Sequence, residues 1–325
     1  MSQFDWLSPL LEMIAITGKL EVHCAYSAPW RVTSTTSEAY EFPYFVLLKG
    51  RAIIEIPDMR AAWELEGGDI LMLPHGAEYV LHDGSGNPSS RICDRPGVAG
   101  WIISESDGVG TPVEILKGHF LVEAPHDRLV RDYLPPVILA QAAEVPGEEG
   151  MKSASNRLAG LVELMRMEST GDRSGGYAIF SALSPVLFTL VLSTASESEP
   201  VEPGWLGLAA CPKLAPAISA MFADPAYPWD LPDLAELCRM SRATFMRHFQ
   251  ERLGRSASKF LTDIRLGIAA NELKRATTAT QAVASSVGYR SVAAFRRAFT
   301  DKMGMTPGQW RRLMREHREH GQSSQ

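Results

Sequence analysis

The last hundred residues contain an approximate internal repeat, and few folds admit one of this length. The stretch "LAELCRMSRATFMRHFQERLGRS", 234–256, aligns with "VASSVGYRSVAAFRRAFTDKMGMT", 283–306. Leu234 and Ala235 match Val283 and Ala284 at an offset of 49 residues. After one extra turn residue, written opposite Gly288, Phe245, Arg247, Phe249, Gly254 and Ser256 match Phe295, Arg297, Phe299, Gly304 and Thr306 at 50. Each copy reads as a helix, a short turn, a second helix and a glycine that ends it, the plan of a helix-turn-helix. Phe245 and Phe249, like Phe295 and Phe299, stand four apart and face a small core. That leaves Arg242, Ala243, Met246 and Arg247 outward in the first copy, and Arg290, Val292, Ala293, Arg296 and Arg297 in the second.

Charge follows the repeat. Residues 230–320 carry 17 Lys and Arg against 9 Asp and Glu, a balance of +8, whereas the rest of the chain has 15 against 29, or −14. A basic segment joined to an acidic body suits a polyanion, and nucleic acid is the expected partner. The helical stretch "SKFLTDIRLGIAANELKRA" connects the copies, so two recognition helices are expected in successive major grooves, about one DNA turn apart.

These residues resemble the DNA-binding domain of the AraC family. The signature is carried by "LAELCRMSRATFMRHF", "DIRLGIAANEL" and, most specifically, "VASSVGYRSVAAFRRAFTDKMGMTPGQWRR", together covering about 231–312. The resemblance implies that Arg247 and Arg297 contact phosphate and that Arg242, Ala243, Met246, Val292, Ala293 and Arg296 occupy base-reading positions. Apolar side chains among them suit contact with thymine methyl groups. It also implies a homodimer acting on double-stranded promoter DNA, with RNA polymerase as a further partner.

Between about residues 40 and 84 the chain gives short apolar runs, "YFVLLKG", "RAIIEIP", "AAWELEGG", "DILMLPHG" and "EYVLHDG", divided by Gly, Pro and Asp. Such spacing predicts a β-sandwich or barrel. The stretch "GDILMLPHGAEY" resembles the second cupin motif, with Tyr79 where that motif ends in histidine. Tyr40, Pro43 and Tyr44 stand where the first motif wants histidines. His75 and His82 alone do not make a facial metal triad, so neither a metal nor another cofactor is expected, and an effector pocket is a better reading than a cupin enzyme tethered to DNA.

Three readings of the signal stay open. The segment "SSRICDRPGVAG", 89–100, is too rich in Ser, Pro and Gly to predict regular structure, and its Arg91 and Arg95 form an RxxxR pair suited to anions. With Asp94, Asp83 and Ser85 nearby in sequence, the pair resembles half of the signature by which PilZ-type domains take cyclic di-GMP; the partner motif fails at Pro88. An oxidant switch is the second reading. Cys24, in "VHCAYSAPWRV", resembles the early cysteine of an oxidant-sensing subgroup, and Cys93 would partner it, since Lys117 stands at the place expected for the second cysteine. A different small molecule is the third.

The fold class expected is therefore α+β: a cupin-like β-barrel over 1–150, a helical dimerisation segment over 151–203, and an all-α double helix-turn-helix over 204–325. In the middle segment Leu158, Leu161, Leu164 and Met165 fall on one helical face, and the apolar run 177–195 reads as a buried or dimer-forming helix because it holds Pro185 and lacks basic flanks. The N-terminus carries Asp5 and Glu12 and no basic lead, which is unlike a signal peptide, so a cytoplasmic regulator without enzymatic activity and without a membrane partner is expected. The four cysteines show no CxxC spacing that would suggest zinc.

Overall fold

The computed structural model describes residues 5–97, 100–142, 153–169, 175–198, 200–275 and 278–322. Contacts divide the chain into two compact units that do not follow chain order. One joins Ile16–Glu123 to Leu134–Glu202; the other joins Met1–Ala15 and Ala124–Tyr133 to Pro203–Gln325.

The first unit is built on strands. In chain order these are β1 (Thr17–Ser27), β2 (Arg31–Ser34), β3 (Glu41–Lys49), β4 (Arg51–Ile56), β5 (Ala61–Glu66), β6 (Asp69–Met72), β7 (Tyr79–His82), β8 (Ile92–Pro96), β9 (Ile102–Ser106), β10 (Pro112–Leu121) and β11 (Ile138–Gln141). The five apolar runs of the sequence become β3 to β7. They form a seven-stranded sheet, β11-β6-β3-β10-β1-β9-β8, and a four-stranded one, β2-β7-β4-β5. Strand alternation sends Cys24 and Tyr26 of β1, Phe45 and Leu47 of β3, Ile54 of β4 and Leu81 of β7 into one apolar core. Each fully buried side chain of this kind contributes about 1.5–3 kcal/mol.

The segment around Arg91 departs from expectation. Ile92–Pro96 is regular structure, antiparallel to β9, with Cys93 opposite Glu105 and Arg95 opposite Ile103. The Ser and Gly that argued for a loop flank a five-residue strand that ends on the proline itself. Pro96 is tolerated because β8 is an edge strand and has no partner on its outer side.

Two helices complete this unit, α3 (Ala154–Ser169) and α4 (Gly176–Glu197). Leu158, Leu161 and Met165 are buried as expected, but Leu164 points away and is exposed, and Val162 takes its place on the inner face. Helix α4 is long and apolar enough to cross a membrane, and 44% of its apolar window is buried within the protein. It lies on the seven-stranded sheet through Phe188, which meets Phe120 of β10 edge-on with ring centroids 5.2 Å apart. Pro185 removes one helical hydrogen bond, and the Ser184 and Thr189 hydroxyls donate back to the Phe180 and Pro185 carbonyls.

The second unit is helical: α1 (Leu7–Ile14), α2 (His126–Tyr133), α5 (Trp205–Ala209), α6 (Ala215–Ala223), α7 (Leu231–Leu237), α8 (Arg242–Leu253), α9 (Ala257–Arg275), α10 (Thr280–Ser286), α11 (Val292–Met303) and α12 (Pro307–Gln322). Helices α7 and α8 are the first copy of the repeat, α10 and α11 the second, and α9 is the link. The repeat extends further than the aligned stretch, since Phe260 of α9 stands to Phe249 as Trp310 of α12 stands to Phe299. Those centroid separations are 6.1 and 6.4 Å. Around Trp310, Leu266, Ala270, Val283, Phe295 and Phe299 form a closed core.

Candidate nucleic-acid interface

Both second helices start the same way. Ser241 caps α8 by accepting from the Thr244 amide at 3.2 Å, and Ser291 caps α11 by accepting from the Ala294 amide at 3.1 Å. Gly254 and Gly304 end these helices with φ of 75° and 72°. The caps fix where each helix begins, so the residues of the first turn are aimed identically in the two copies.

The turn before α8 and α11 places the extra residue differently from the alignment. Met240 donates to the Ala235 carbonyl at 2.9 Å, and Tyr289 donates to the Ala284 carbonyl at 2.8 Å, so these two residues correspond. Arg239 and Gly288 therefore share one left-handed position, with φ of 53° and 82°, and the inserted residue is Arg290. It is exposed just ahead of α11.

On α8, Phe245 and Phe249 are buried, while Arg242, Ala243, Met246 and Arg247 are exposed. On α11, Phe295 and Phe299 are buried, Ala293, Arg296 and Arg297 are exposed, and Val292 is half-buried. Arg247 has only a distant pairing with Glu251, at 3.9 Å. Among the described residues, Arg242, Arg290, Arg296 and Arg297 form no ion pair with a protein carboxylate. Arginines held on a capped helix without partners suit phosphate, and the small or apolar Ala243, Met246, Val292 and Ala293 between them suit base edges.

A polar cluster that the sequence does not reveal holds the two copies and α2 together. Tyr133 of α2 donates a short hydrogen bond to the buried Asp263 of α9. Asp132 pairs with Arg255 at 3.2 Å and with Lys302 of α11 at 3.1 Å, and Lys302 reaches Asp263 at 2.9 Å. Burial alone would raise the Asp132 pKa, but Arg255 and Lys302 hold it below the usual carboxylate value. Asp132 and Tyr133 lie 123 to 170 residues from the partners they meet in the repeat, so no local pattern shows them.

In the strand unit, the candidate effector residues are held by separate partners. Arg95 is engaged by Glu105 through two bonds of 3.1 Å across the β8–β9 ladder. The Arg91 amide donates to Asp107 at 2.9 Å. Asp83 and Ser85 close a turn after β7, the Ser85 amide and hydroxyl donating to one carboxylate oxygen. Asp94 accepts from Ser104 at 2.6 Å, and Ser104 accepts from Tyr26 at 2.8 Å.

The two cysteines are likewise apart. Cys24 is buried on β1, and burial pushes its thiol pKa up to about 11, the reverse of activation. Cys93 is exposed on β8. Strand β9 lies between β1 and β8, which spaces them by roughly 10 Å, beyond the reach of a disulfide. Bridging the two would require this ladder to open. His75 bonds the Leu134 carbonyl and His82 accepts from the Gly84 amide.

Known proteins resemble the whole chain. The family described as Cupin matches residues 5–197, more than half of the 325, and the family described as Helix-turn-helix domain matches 234–313. An uncharacterized HTH-type transcriptional regulator of Haemophilus influenzae is 27% identical over 95% of this chain and 98% of its own. The RCS-specific HTH-type transcriptional activator RclR of Escherichia coli is 26% identical over 96% and 99%. Among solved structures, the DNA-binding domain of AdpA, the global transcriptional factor, in complex with a target DNA is 29% identical over 33% of this chain and 96% of that one, with a TM-score of 0.31.

Proposed function

The chain belongs to the AraC-type transcription regulators that carry a cupin domain, and from that premise we propose that it is a homodimer that reads promoter DNA with α8 and α11 under control of an effector at the strand unit. The observation that carries the DNA reading is the pair of serine-capped helices whose exposed arginines have no carboxylate partner of their own, Arg247 and its distant Glu251 excepted. Arg247 and Arg297 are the phosphate contacts. Arg242, Ala243, Met246, Val292, Ala293 and Arg296 face the bases, Arg290 stands exposed ahead of α11 as a further DNA contact, and RNA polymerase is the partner once the promoter is bound.

Dimerisation is assigned to α3 and α4. Met167 and Tyr177 are 60% and 56% exposed, and Leu164 and Val186 add to them. Exposed apolar side chains on neighbouring helices suit a second copy of the same surface. The effector reading favours a small ligand inside the strand unit over a nucleotide at Arg91 and Arg95, because Arg95 is engaged by Glu105 and Asp94 by Ser104. A burial-suppressed Cys24 likewise favours a ligand over an oxidant.

The test is DNA binding by fluorescence anisotropy across a salt series. Arg297→Ala should weaken binding to every sequence by on the order of tenfold and reduce the salt slope by about 1. Met246→Ala and Arg296→Ala should alter sequence preference more than overall affinity. Unchanged binding in all three variants would overturn the assignment of these faces.

A further inference from the structure

The core between the two sheets of the strand unit is not filled. A cavity of about 140 Å³ lies between β1, β2, β3, β7, β8, β9 and β10. One part of its wall is apolar, made by Val22, Val32, Phe45 and Leu81. Another holds Lys117 of β10 and Tyr79 of β7, the two residues that stand where the resembled families carry a cysteine and a histidine.

Two features of that polar end ask for a partner. Tyr79 is 2% exposed, and its buried hydroxyl meets the Lys117 ammonium but finds no group among the described residues to accept its own proton. A buried hydroxyl left unsatisfied costs about 1–3 kcal/mol, so such groups are normally paired. Lys117 lies 5.5 Å from the Tyr79 ring centroid and, among the described residues, forms no ion pair with a carboxylate. Burial alone would lower its pKa, but the neighbouring Tyr79 phenol and the Glu21 charge raise it, so the nitrogen is an ammonium. A half-buried cation with no carboxylate in contact still favours an anion that can reach it. The acidic residue on the same wall, Asp94, stands on β8 with β1 and β9 between it and β10. It is exposed to water, accepts from Ser104 and forms no ion pair with Lys117.

We propose that this cavity binds a small organic carboxylate of about the size of benzoate, its anionic group on the Lys117 ammonium and the Tyr79 hydroxyl, its body against Val22, Val32, Phe45 and Leu81. The volume sets the class. An apolar cavity on the order of 150 Å³ accommodates a benzene-sized molecule, whereas drug-sized or nucleotide ligands need roughly 300 Å³ or more. The Lys117 ammonium and the Tyr79 donor select charge, and the aliphatic and aromatic wall selects an unbranched ring or short branched chain over a sugar. The inference rests on the reading of this unit as the effector-binding half, and it names the effector's chemistry.

The experiment is calorimetric titration of the full chain with benzoate, cyclohexanecarboxylate and 3-methylbutanoate, each against its primary amide. At least one acid should bind tenfold or more tightly than its amide. Lys117→Gln should abolish that preference, and Tyr79→Phe, which keeps the ring and removes only the hydroxyl, should weaken the acid by about threefold to tenfold. Equal binding of every acid and its amide, or no binding of any, overturns the site, as does a preference that survives both substitutions. Because the readout is ligand binding, failure here is separable from failure of the regulatory reading. A chain that binds the acids as expected but whose promoter affinity ignores them retains the site and loses the regulation.

Discussion

The two helix-turn-helix copies share caps, aromatic spacing and outward arginines, but they complete their cores in different ways. The second copy closes on its own following helix: Trp310 of α12 is 2% exposed, packs on Phe299, and donates its indole N–H to the Ala270 carbonyl at 3.2 Å. The first copy takes material from outside the repeat. Phe260 meets Tyr133 of α2 at 5.7 Å and Phe222 of α6 at 6.3 Å, and Tyr133 stacks on Trp205 at 5.8 Å. On its other side the first copy keeps an open groove of about 580 Å³ lined by Trp229, Leu234, Ala243 and Met246. A repeat in sequence thus need not be a repeat in stability. One copy closes its aromatic core with its own following helix, and the other closes it with distant chain.

The largest test of that contrast is local. Trp310→Ala should lower hydrogen-exchange protection of the α11 amides by about 3–5 kcal/mol, and Tyr133→Ala should lower protection of α8 far more than of α11. If both substitutions loosened both helices equally, the copies would be one cooperative body and the contrast would fail.

The turns give the next effect. At Gly288 a Cβ would stand 2.7 Å from the Ala226 carbonyl oxygen, at a φ of +82°. Gly288→Ala should therefore cost about 2–3 kcal/mol in urea unfolding, from backbone strain and the contact together. A loss below about 1 kcal/mol would mean that the second turn is no tighter than the first.

Smaller still are the leading helices. Asp230 and Asp233 form a capping box at α7, with Asp233 N–H to Asp230 at 2.9 Å, whereas Ala279 opens α10 with no side-chain cap. Asp230→Ala should cost about 1 kcal/mol and Ala279→Asp should restore a similar amount, read as opposite shifts in the urea midpoint. The least effect belongs to Arg239→Gly. Relief of the left-handed strain and the added freedom of the unfolded chain oppose one another, so stability should move by no more than about 0.5 kcal/mol in thermal denaturation.

How far the sequence discloses this molecule depends on how local the information is. The repeat, its caps and the outward set Arg242, Ala243, Met246, Arg296 and Arg297 are legible because helical periodicity and cap chemistry act over a few residues. Strands β3 to β7 are legible for the same reason. Strand β8 is not, because its five residues owe their form to pairing with β9, and the surrounding Ser, Pro and Gly dominate a local reading. Arg91, Arg95 and Asp94 lie on or beside that strand, and Asp83 and Ser85 close the turn after β7, so their partners too are set by pairing and not by nearness in sequence. Tyr79 and Lys117 were visible only as departures from expected motifs. That they share a cavity is a fact of register, with β7 and β10 in different sheets.

Helix α2 lies between β10 and β11 in the chain yet supplies Asp132 and Tyr133 to the helical unit, and the chain passes between the units four times, after residues 15, 123, 133 and 202. The DNA-reading half is therefore not written in one contiguous stretch. A fragment beginning at residue 204 would lack the ring that covers Phe260 and the carboxylate that neutralises Arg255 and Lys302. Gene fusions or deletions designed on a single cut near that residue would sever the first copy from part of its own interior and take from the second the Asp132 partner of Lys302.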